Sequence, residues 1–295
     1  MGHISSAAGN HPTRGERWIV MSNCQTLGLA NCLAQQNPGI EVEACDIWEF
    51  KRNRDIWIQK IAECDHLFLN VDLQSEHDFS ATKRVTIVPS LWFGGYHPDV
   101  CIITANDAPI KTPLDDYNSI IAVAAYKKGL SVSEALTKFN GDIYKAAGYY
   151  NTWNTEKDFV LPYWKNMGYD LTACFRQWTM REAFMYSSNH PHIDCLYDVA
   201  AIATKKAGYD PILGTGSLRP HDNLKHGAIY PIYPEIAEAL GVTGSYWFKR
   251  PNRYGLLSLE EFVTESYASY QQVDRDAIQI NHVFSSRYEL VYNAI

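Results

Sequence analysis

The residue in this chain best placed for chemistry is Cys24. Residues 17–21 form a short apolar run that predicts a strand, Ser22-Asn23-Cys24-Gln25 predicts a tight polar turn, and residues from Thr26 onward predict a helix. Backbone N–H groups and the positive end of the dipole at a helix N-terminus favour an anion. We therefore expect the Cys24 thiol to ionise more readily than a free thiol, beside N–H groups that can hold an oxyanion.

Most cysteines are small buried hydrophobic residues, and this alternative stays open for Cys24. The chain has seven cysteines, an odd and scattered set without a Cys-x-x-Cys pair, which argues against a zinc ribbon or a disulfide scaffold. A reducing cytoplasm fits this usage best. The six cysteines expected in the core are Cys32, Cys45, Cys64, Cys101, Cys174 and Cys195.

A cysteine nucleophile needs a base, and histidine is the usual one near neutral pH. The candidates among the ten histidines are His97, His190, His192 and His221. His190 has the best local case, because Asn189-His190-Pro191 precedes a helix predicted over residues 194–207 and forms a rigid turn. The alternative is that this tripeptide only begins the helix, with Asn189 as its cap. His192 or Asp194 could assist, whereas His66 and His77 are expected at the surface.

Two further segments have the composition of ligand-binding loops. Residues 92–99 contain two glycines that permit close backbone approach, with Trp92, Tyr96 and His97 as stacking or hydrogen-bonding groups for a sugar or an adenine ring. The alternative is a rigid turn anchored by core aromatic side chains. The basic run Lys249-Arg250-Pro251-Asn252-Arg253 could receive phosphate groups, or it could be a solvated loop. We predict no metal site, because no well-spaced cluster of ligands accompanies the His-x-His pair.

The elements that would position these residues alternate in the first half of the chain. Strands are predicted over residues 17–21, 40–46, 66–71 and 84–88, with helices over residues 26–36 and 55–63. This βαβ order predicts a parallel sheet, in which ligands gather at the carboxyl ends of the strands. Cys24, Asn70 and Ser90 would all emerge there.

From residue 119 the pattern becomes helical, and the predicted fold class is an α/β sheet core with a helix-rich C-terminal half. Helices are predicted over residues 120–128, 131–140, 142–150, 156–167, 194–207, 234–240 and 258–269. Residues 212–234, with three prolines and three glycines, predict an ordered loop. We expect a disordered leader over residues 1–14 and one α/β domain over residues 15–295, divided into a sheet core (15–118) and a helical portion (119–295).

Composition narrows the function classes. The chain has 295 residues, 46% of them hydrophobic, and a net charge of −7, which disfavours a nucleic-acid partner. The sequence contains no apolar stretch long enough to span a membrane and no signal-peptide core near its start. It leaves the oligomeric state open, a homo-oligomer included.

Three short motifs in this order resemble the WcbI-type capsular polysaccharide biosynthesis proteins. They are Ser22-Asn23-Cys24-Gln25, residues 89–99 and the pair Arg181-Glu182 shortly before Asn189-His190-Pro191, and the resemblance extends over residues 17–208. It implies an acetyltransferase that binds coenzyme A and O-acetylates a sugar of a capsular or other surface polysaccharide. It also implies a core distantly like the GDSL/SGNH hydrolases, with the Asn-Cys-Gln turn standing where those enzymes carry Gly-Asp-Ser.

The chain departs from the hydrolases at two points, since it offers a cysteine in place of their serine and has no Asp-x-x-His near its end. Their triad therefore cannot be transferred. The resemblance supports Cys24 as nucleophile or acyl-proximal residue, Gln25 as oxyanion or orienting group and His190 as base. The predicted contacts of coenzyme A or acetyl-CoA are Ser22, Asn23, Tyr96, His97, Lys249, Arg250 and Arg253.

Two acyl-transfer routes are compatible with these assignments. Cys24 could take acetyl from acetyl-CoA and pass it to a sugar hydroxyl, or His190 could deprotonate the hydroxyl for direct transfer. Two alternative functions also remain. One is an acetylesterase that uses water as acceptor at the same site, and the other is a non-catalytic glycan-binding scaffold of a biosynthetic complex. The sequence leaves the acceptor sugar open.

Overall fold

The computed structural model describes residues 9–180 and 182–295, which form a mixed α/β protein rich in helix. The strands are β1 (Arg17–Ser22), β2 (Glu41–Asp46), β3 (His66–Asn70), β4 (Val85–Val88), β5 (Val100–Cys101), β6 (Ile103–Ala105), β7 (Ala108–Pro109), β8 (Asn118–Ser119), β9 (Met185–Ser187), β10 (His190–Pro191), β11 (Phe248–Lys249), β12 (Leu256–Leu257) and β13 (Ile278–Ile280). The α-helices are α1 (Thr26–Gln36), α2 (Ile47–Arg52), α3 (Arg54–Glu63), α4 (Ile120–Lys127), α5 (Val132–Leu136), α6 (Gly141–Ala146), α7 (Tyr149–Asn166), α8 (Thr172–Thr179), α9 (Ile193–Lys206), α10 (Pro234–Leu240), α11 (Leu259–Tyr270) and α12 (Ser285–Ala294). The predicted fold class is confirmed.

The chain divides into two compact units, each built from three stretches of sequence. The first unit contains the described residues up to 91, with 161–178 and 192–224, and the second contains 92–160, the described part of 179–191, and 225–295. The first stretch of the sheet-bearing unit thus ends at Leu91, before the predicted boundary at residue 118, and the unit also contains the later helices α8, up to Trp178, and α9. The single domain over residues 15–295 stays a prediction.

The predicted leader, residues 1–14, falls partly on the chain that the structure describes. Asn10 is tied to the first unit, because its backbone N–H donates to Asp210 Oδ2 at 2.8 Å and its carbonyl accepts from the Asp210 N–H at 2.7 Å. Asn10 is therefore part of the folded first unit, and residues 1–8 lie outside the described residues.

The first unit is organised by a four-stranded parallel sheet in the order β2-β1-β3-β4. In its register Ser22 lies beside Asp46, and Asn70 lies beside Val88, so the carboxyl ends of all four strands share one edge. Five of the six β1 residues are buried, as expected for a strand covered on both faces. The predicted sheet and its polarity are confirmed.

Each face of this sheet has its own cover. One face packs a cluster that includes Ile19, Met21 and Trp57, beneath α2 and α3. On the other side α1 packs against α9, and a Cβ added at Gly28 would lie 2.6 Å from Leu196 Cδ1, so glycine permits this close approach. Helix α2 was not predicted. It begins where the Asp46 carboxylate accepts from the Glu49 N–H at 2.8 Å and caps its first turn.

One histidine prediction is wrong, because His66 lies in the core rather than at the surface. Its Nε2 is 2.8 Å from Thr86 Oγ1, and its ring stacks on Phe68 with 4.7 Å between centroids. Burial lowers the pKa of His66 to about 4, and the nearby Arg84 charge acts in the same direction. His66 therefore stays neutral inside the folded protein at neutral pH.

The second unit is organised around a buried carboxylate, that of Asp99, the last residue of the Gly-rich segment 92–99. Helix α4 packs there against α11 and α12, and short antiparallel strands such as β13-β6-β7 flank them. The Asp99 carboxylate accepts from Ser119 Oγ (2.5 Å), Tyr149 Oη (2.7 Å), Tyr233 Oη (2.6 Å), Tyr230 Oη (3.1 Å) and the Ile121 N–H (3.0 Å). Burial raises the pKa of Asp99, and these donors oppose that shift by stabilising the charged form. Tyr149, Tyr230 and Tyr233 are therefore buried core residues that stabilise this carboxylate.

Several helix predictions are confirmed to within a residue or two, including α4, α9, α10 and α11. Helix α5 is shorter than predicted and ends at Leu136, although its Ser131–Glu134 capping box is present. Helix α7 begins at Tyr149, before the predicted start. Residues 212–233 contain two short 3₁₀ segments and one isolated bridge from Ile229 to Lys249 but no α-helix, which confirms the predicted ordered loop. Along residues 9–180 and 182–295, no helix has the length and apolar character that a membrane span requires.

Candidate functional site

The carboxyl edge of the parallel sheet carries a connected network of amide and hydroxyl groups. Asn70 Nδ2, at the end of β3, donates to Ser22 Oγ at 3.0 Å and to Ser90 Oγ at 2.9 Å. Asn23 Nδ2 donates to the same Ser90 oxygen at 3.1 Å, and Ser90 Oγ donates to Asp72 Oδ2 at 2.7 Å. The predicted convergence of the Cys24 turn, Asn70 and Ser90 is therefore confirmed, and the network fixes Asn23 from outside its own turn.

Cys24 lies in the turn that this network holds. Helix α1 begins at Thr26 with Gln25 as its N-cap, so Cys24 immediately precedes the cap. The half-buried Cys24 Sγ lies 3.9 Å from Asn23 Oδ1, within the range of a weak S–H donor bond. The orientation of the thiol is thus coupled to Asn23.

The ionisation expected of Cys24 is wrong for the folded protein. Burial raises the pKa of the thiol to about 11, and the hydrogen bond from its own backbone N–H offsets only part of that shift. The predicted effect of the helix N-terminus is outweighed, because the free energy of removing a thiolate from water exceeds the stabilisation that the helix dipole provides. At neutral pH Cys24 is therefore a thiol.

Gln25 performs a positioning task that its sequence context did not reveal. Its Nε2 donates to the Leu91 carbonyl at 2.6 Å, and its Oε1 accepts from the Leu91 N–H at 3.1 Å. Its own backbone N–H donates to Asn23 Oδ1 at 3.0 Å. Both ends of the buried side chain amide therefore join the start of α1 to the segment after β4. A role of Gln25 toward an oxyanion stays a prediction.

The second unit contains the Gly-rich segment, whose residues divide between core and cavity. Tyr96 is buried and packs edge-to-face on Phe93 and Phe184, which agrees with the alternative of core aromatic anchors for this residue. His97 is also buried, yet it lines a cavity of about 230 Å³ together with Trp92. Contact of Tyr96 or His97 with coenzyme A stays a prediction.

His190 lies on the two-residue strand β10, paired with Ser187 of β9. Its ring meets Tyr117 edge-on, with 5.6 Å between centroids. The alternative that Asn189 caps the following helix is wrong, because α9 begins at Ile193 with His192 at its N-cap. His190 belongs to the second unit and Cys24 to the first. Their pairing as base and nucleophile stays a prediction.

The basic run is largely engaged inside the second unit. Lys249 Nζ donates to the carbonyls of Gly227 (2.9 Å), His226 (3.2 Å) and Arg250 (3.2 Å). Arg250 Nη2 pairs with Glu265 Oε1 at 2.5 Å, whereas Arg253 is exposed in the turn that follows β11. The ammonium group of Lys249 thus donates to backbone carbonyls of its own unit. Arg253 therefore has the best exposure among the three predicted phosphate contacts, all of which stay predictions.

Two functional candidates were missed by sequence reasoning. Asp72 follows Asn70 by two residues and completes the hydroxyl network through Ser90, so its place at a strand end was the available signal. Glu156 and Arg287, which are far apart in the sequence, form an ion pair with 3.4 Å between Oε1 and Nη2. No local sequence pattern predicts this pair. Within the part of the chain that the structure describes, no group of three or more His, Cys, Asp or Glu side chains is placed to hold a metal.

Fold and network together define an α/β protein with a cysteine-bearing turn at the carboxyl edge of a parallel sheet, the edge where ligands bind in such sheets. The chain belongs to the WcbI family, whose profile, described as polysaccharide biosynthesis enzyme WcbI, matches residues 17–211. The family expected from the sequence motifs is thereby confirmed.

A solved structure has a similar fold. It is described as WcbI, a novel polysaccharide biosynthesis enzyme, in its native form without a disulfide bond between coenzyme A and one of its cysteines. It superposes with a TM-score of 0.63 and 14% sequence identity, covering 95% of this chain and 98% of its own. A search of curated protein sequences finds no match.

Proposed function

We propose that this polysaccharide biosynthesis enzyme is a coenzyme A-binding O-acetyltransferase, with Cys24 at the point of acyl transfer. The observation that carries the proposal is the fixing of Cys24 at the carboxyl edge of the sheet, where Asn23, Ser90 and Asn70 form one hydrogen-bonded network. Family membership supports it, as does the description of the related structure, which mentions coenzyme A and a cysteine together. The proposed acceptor is a hydroxyl group of a surface polysaccharide sugar.

Two routes balance chemically. In the first, Cys24 Sγ attacks the thioester carbonyl, the bond to the coenzyme A sulfur breaks, and the sugar hydroxyl then displaces the Cys24 sulfur. In the second, the hydroxyl attacks the thioester directly, its proton passes to a base, and the coenzyme A thiol leaves. His190 is the proposed base in both. Because the pKa of Cys24 is raised, the first route requires removal of its proton in the course of the reaction.

Calorimetric titration with coenzyme A and with acetyl-CoA tests the donor side. We expect micromolar binding by the wild-type protein and weaker acetyl-CoA binding by Cys24→Ala. Cys174→Ala is the matched control, because Cys174 is half-buried like Cys24 but lies on α8. Absence of binding by folded wild-type protein would refute the transferase and leave the acetylesterase as the leading alternative.

Alkylation tests the raised pKa of Cys24, and detection of an acetyl group on Cys24 separates the two routes. With a pKa of about 11, Cys24 is ionised to about one part in a thousand at pH 8, roughly 200-fold less than a thiol of pKa 8.5. We expect iodoacetamide to label native Cys24 correspondingly slowly. Intact-mass detection of an acetyl group on Cys24 after mixing with acetyl-CoA would establish the first route, whereas turnover without it, retained in Cys24→Ser, would establish the second.

The proposed role of His190 has its own test. His190→Ala should abolish transfer to the sugar while leaving acetyl-CoA binding intact, since a base acts in the chemical step. The matched control is His221→Ala, because His221 is an exposed member of the same set of candidate histidines. Full turnover in His190→Ala would assign the base elsewhere.

A further inference from the structure

The 230 Å³ cavity of the second unit brings together groups that the chemistry at Cys24 does not use. Its wall includes Trp92, Gly94, Glu156, Phe284 and Arg287. Pockets for drug-sized ligands range from about 300 to 1,000 Å³, so this cavity matches a single ring. Apolar and aromatic side chains supply most of its wall, with a few polar groups at defined points, which is the usual composition of a small-molecule site.

The strongest polar feature of the cavity is the Glu156 carboxylate. Its Oε1 accepts from Arg287 Nη2 at 3.4 Å, and Arg287 Nη1 donates to the Pro98 carbonyl at 2.9 Å. Glu156 Oε2 is buried and has no hydrogen-bond partner among residues 9–180 and 182–295. A buried carboxylate oxygen without a donor is unfavourable, so a ligand that brings an O–H group to this atom gains affinity.

Gly94 keeps the carboxylate accessible from the cavity. A Cβ at this position would lie 3.3 Å from Glu156 Oε1 and 3.8 Å from Oε2. The polar groups at this point are therefore a carboxylate acceptor and a guanidinium donor side by side. Neighbouring hydroxyl groups, each of which can both donate and accept, satisfy such a pair.

We propose that this cavity binds one uncharged pyranose ring of the acceptor glycan. The identification of this glycan as the acceptor rests on the proposed function, but the binding itself is independent of the transfer reaction. Trp92 offers a face for the apolar side of the ring, while Glu156 and Arg287 hold adjacent hydroxyl groups at its edge. Among the described residues that line the cavity, Arg287 is the sole Lys or Arg, and it is already paired, so the cavity is poorly suited to the phosphates of coenzyme A.

Binding of methyl glycosides to the protein without coenzyme A tests the proposal. The panel comprises methyl glycosides of glucose, galactose, mannose and N-acetylglucosamine, measured by saturation-transfer NMR and titration. We expect at least one to bind, and Glu156→Gln to weaken it about tenfold or more, as expected for loss of a charged hydrogen bond. Trp92→Leu should also weaken binding, because it removes the aromatic face on which the ring packs. Glu289→Gln and Trp247→Leu are matched controls, because both residues are exposed and neither lines the cavity.

A second variant protects the test against misfolding of Glu156→Gln. Gly94→Ala adds one methyl group against the carboxylate and should weaken glycoside binding, whereas Gly216→Ala, with no atom within 4 Å of the added Cβ, should not. Failure of every glycoside to bind the wild-type protein overturns the proposal, as does binding that these variants leave unchanged. Coenzyme A titrations on the same variants keep the two proposals separate. Loss of coenzyme A binding in Glu156→Gln with glycoside binding retained would reassign the cavity to the donor.

Discussion

Replacing Gln25 by leucine tests the link between the Cys24 turn and the rest of the sheet edge. The buried Gln25 side-chain amide makes two hydrogen bonds to the backbone of Leu91, since its Nε2 donates to the Leu91 carbonyl at 2.6 Å and its Oε1 accepts from the Leu91 N–H at 3.1 Å. Leucine has a similar volume, so the substitution opens little cavity and removes both partners at once. Leu91 is itself only 2% exposed, which keeps water from replacing them.

The expected cost follows from these two groups. Each buried backbone group left without a partner costs about 1–3 kcal/mol, so the two together give a loss of about 2–6 kcal/mol in the free energy of unfolding. Gln25→Glu keeps the acceptor for the Leu91 N–H but replaces the donor by a carboxylate oxygen that faces the Leu91 carbonyl. We therefore expect it to be destabilising as well.

Urea unfolding followed by circular dichroism measures this loss. The matched control is Gln74→Leu, because Gln74 is exposed and its Nε2 bonds a carbonyl, that of Val71, at 3.0 Å. We expect the control to change the free energy of unfolding by less than about 0.5 kcal/mol. A difference below about 1 kcal/mol between the two variants would show that the Gln25–Leu91 pair does not fasten the turn, and would refute the positioning role.

Three further predictions concern the cores of the two units. The pKa of His66 in the folded protein, about 4, lies below its ordinary value of 6.5. Its contribution to the free energy of unfolding is therefore complete above pH 6.5 and is lost as the pH falls toward 4. It amounts to about 3 kcal/mol, and His66→Gln should flatten the pH dependence of urea unfolding over that window. Asp99→Asn should cost about 3–5 kcal/mol, because hydroxyl donors then face an amide N–H₂, whereas Asp107→Asn in an exposed turn should be neutral by thermal unfolding. Gly95→Ala should destabilise, since its Cβ would lie 2.9 Å from the Trp153 Cα, and an unchanged melting temperature relative to Gly216→Ala would contradict that packing.

The sequence by itself determined the elements that carry the site. The apolar run of β1, the polar turn and the helix propensity of α1 are local properties, and the βαβ order fixes parallel strands whose carboxyl ends share an edge. The sequence therefore sufficed to predict that Cys24, Asn70 and Ser90 lie at one edge of the sheet. The three short motifs also sufficed to indicate the family, which the match over residues 17–211 confirms.

Tertiary structure alone decided what surrounds those residues. The pKa of Cys24 depends on its burial in the folded chain, so the local helix N-terminus predicted the wrong direction. His66 stands in a polar sequence context but is buried, because β3 lies inside a sheet covered on both faces. Lys249 and Arg250 are neighbours in a basic run of the sequence, yet in the fold Lys249 donates to backbone carbonyls and Arg250 pairs with Glu265. The Glu156–Arg287 pair joins α7 to α12. These helices are so far apart in the sequence that neither periodicity nor a local motif could predict the pair. Burial and long-range pairing are properties of the folded chain, and they set the chemistry of side chains that the sequence only places.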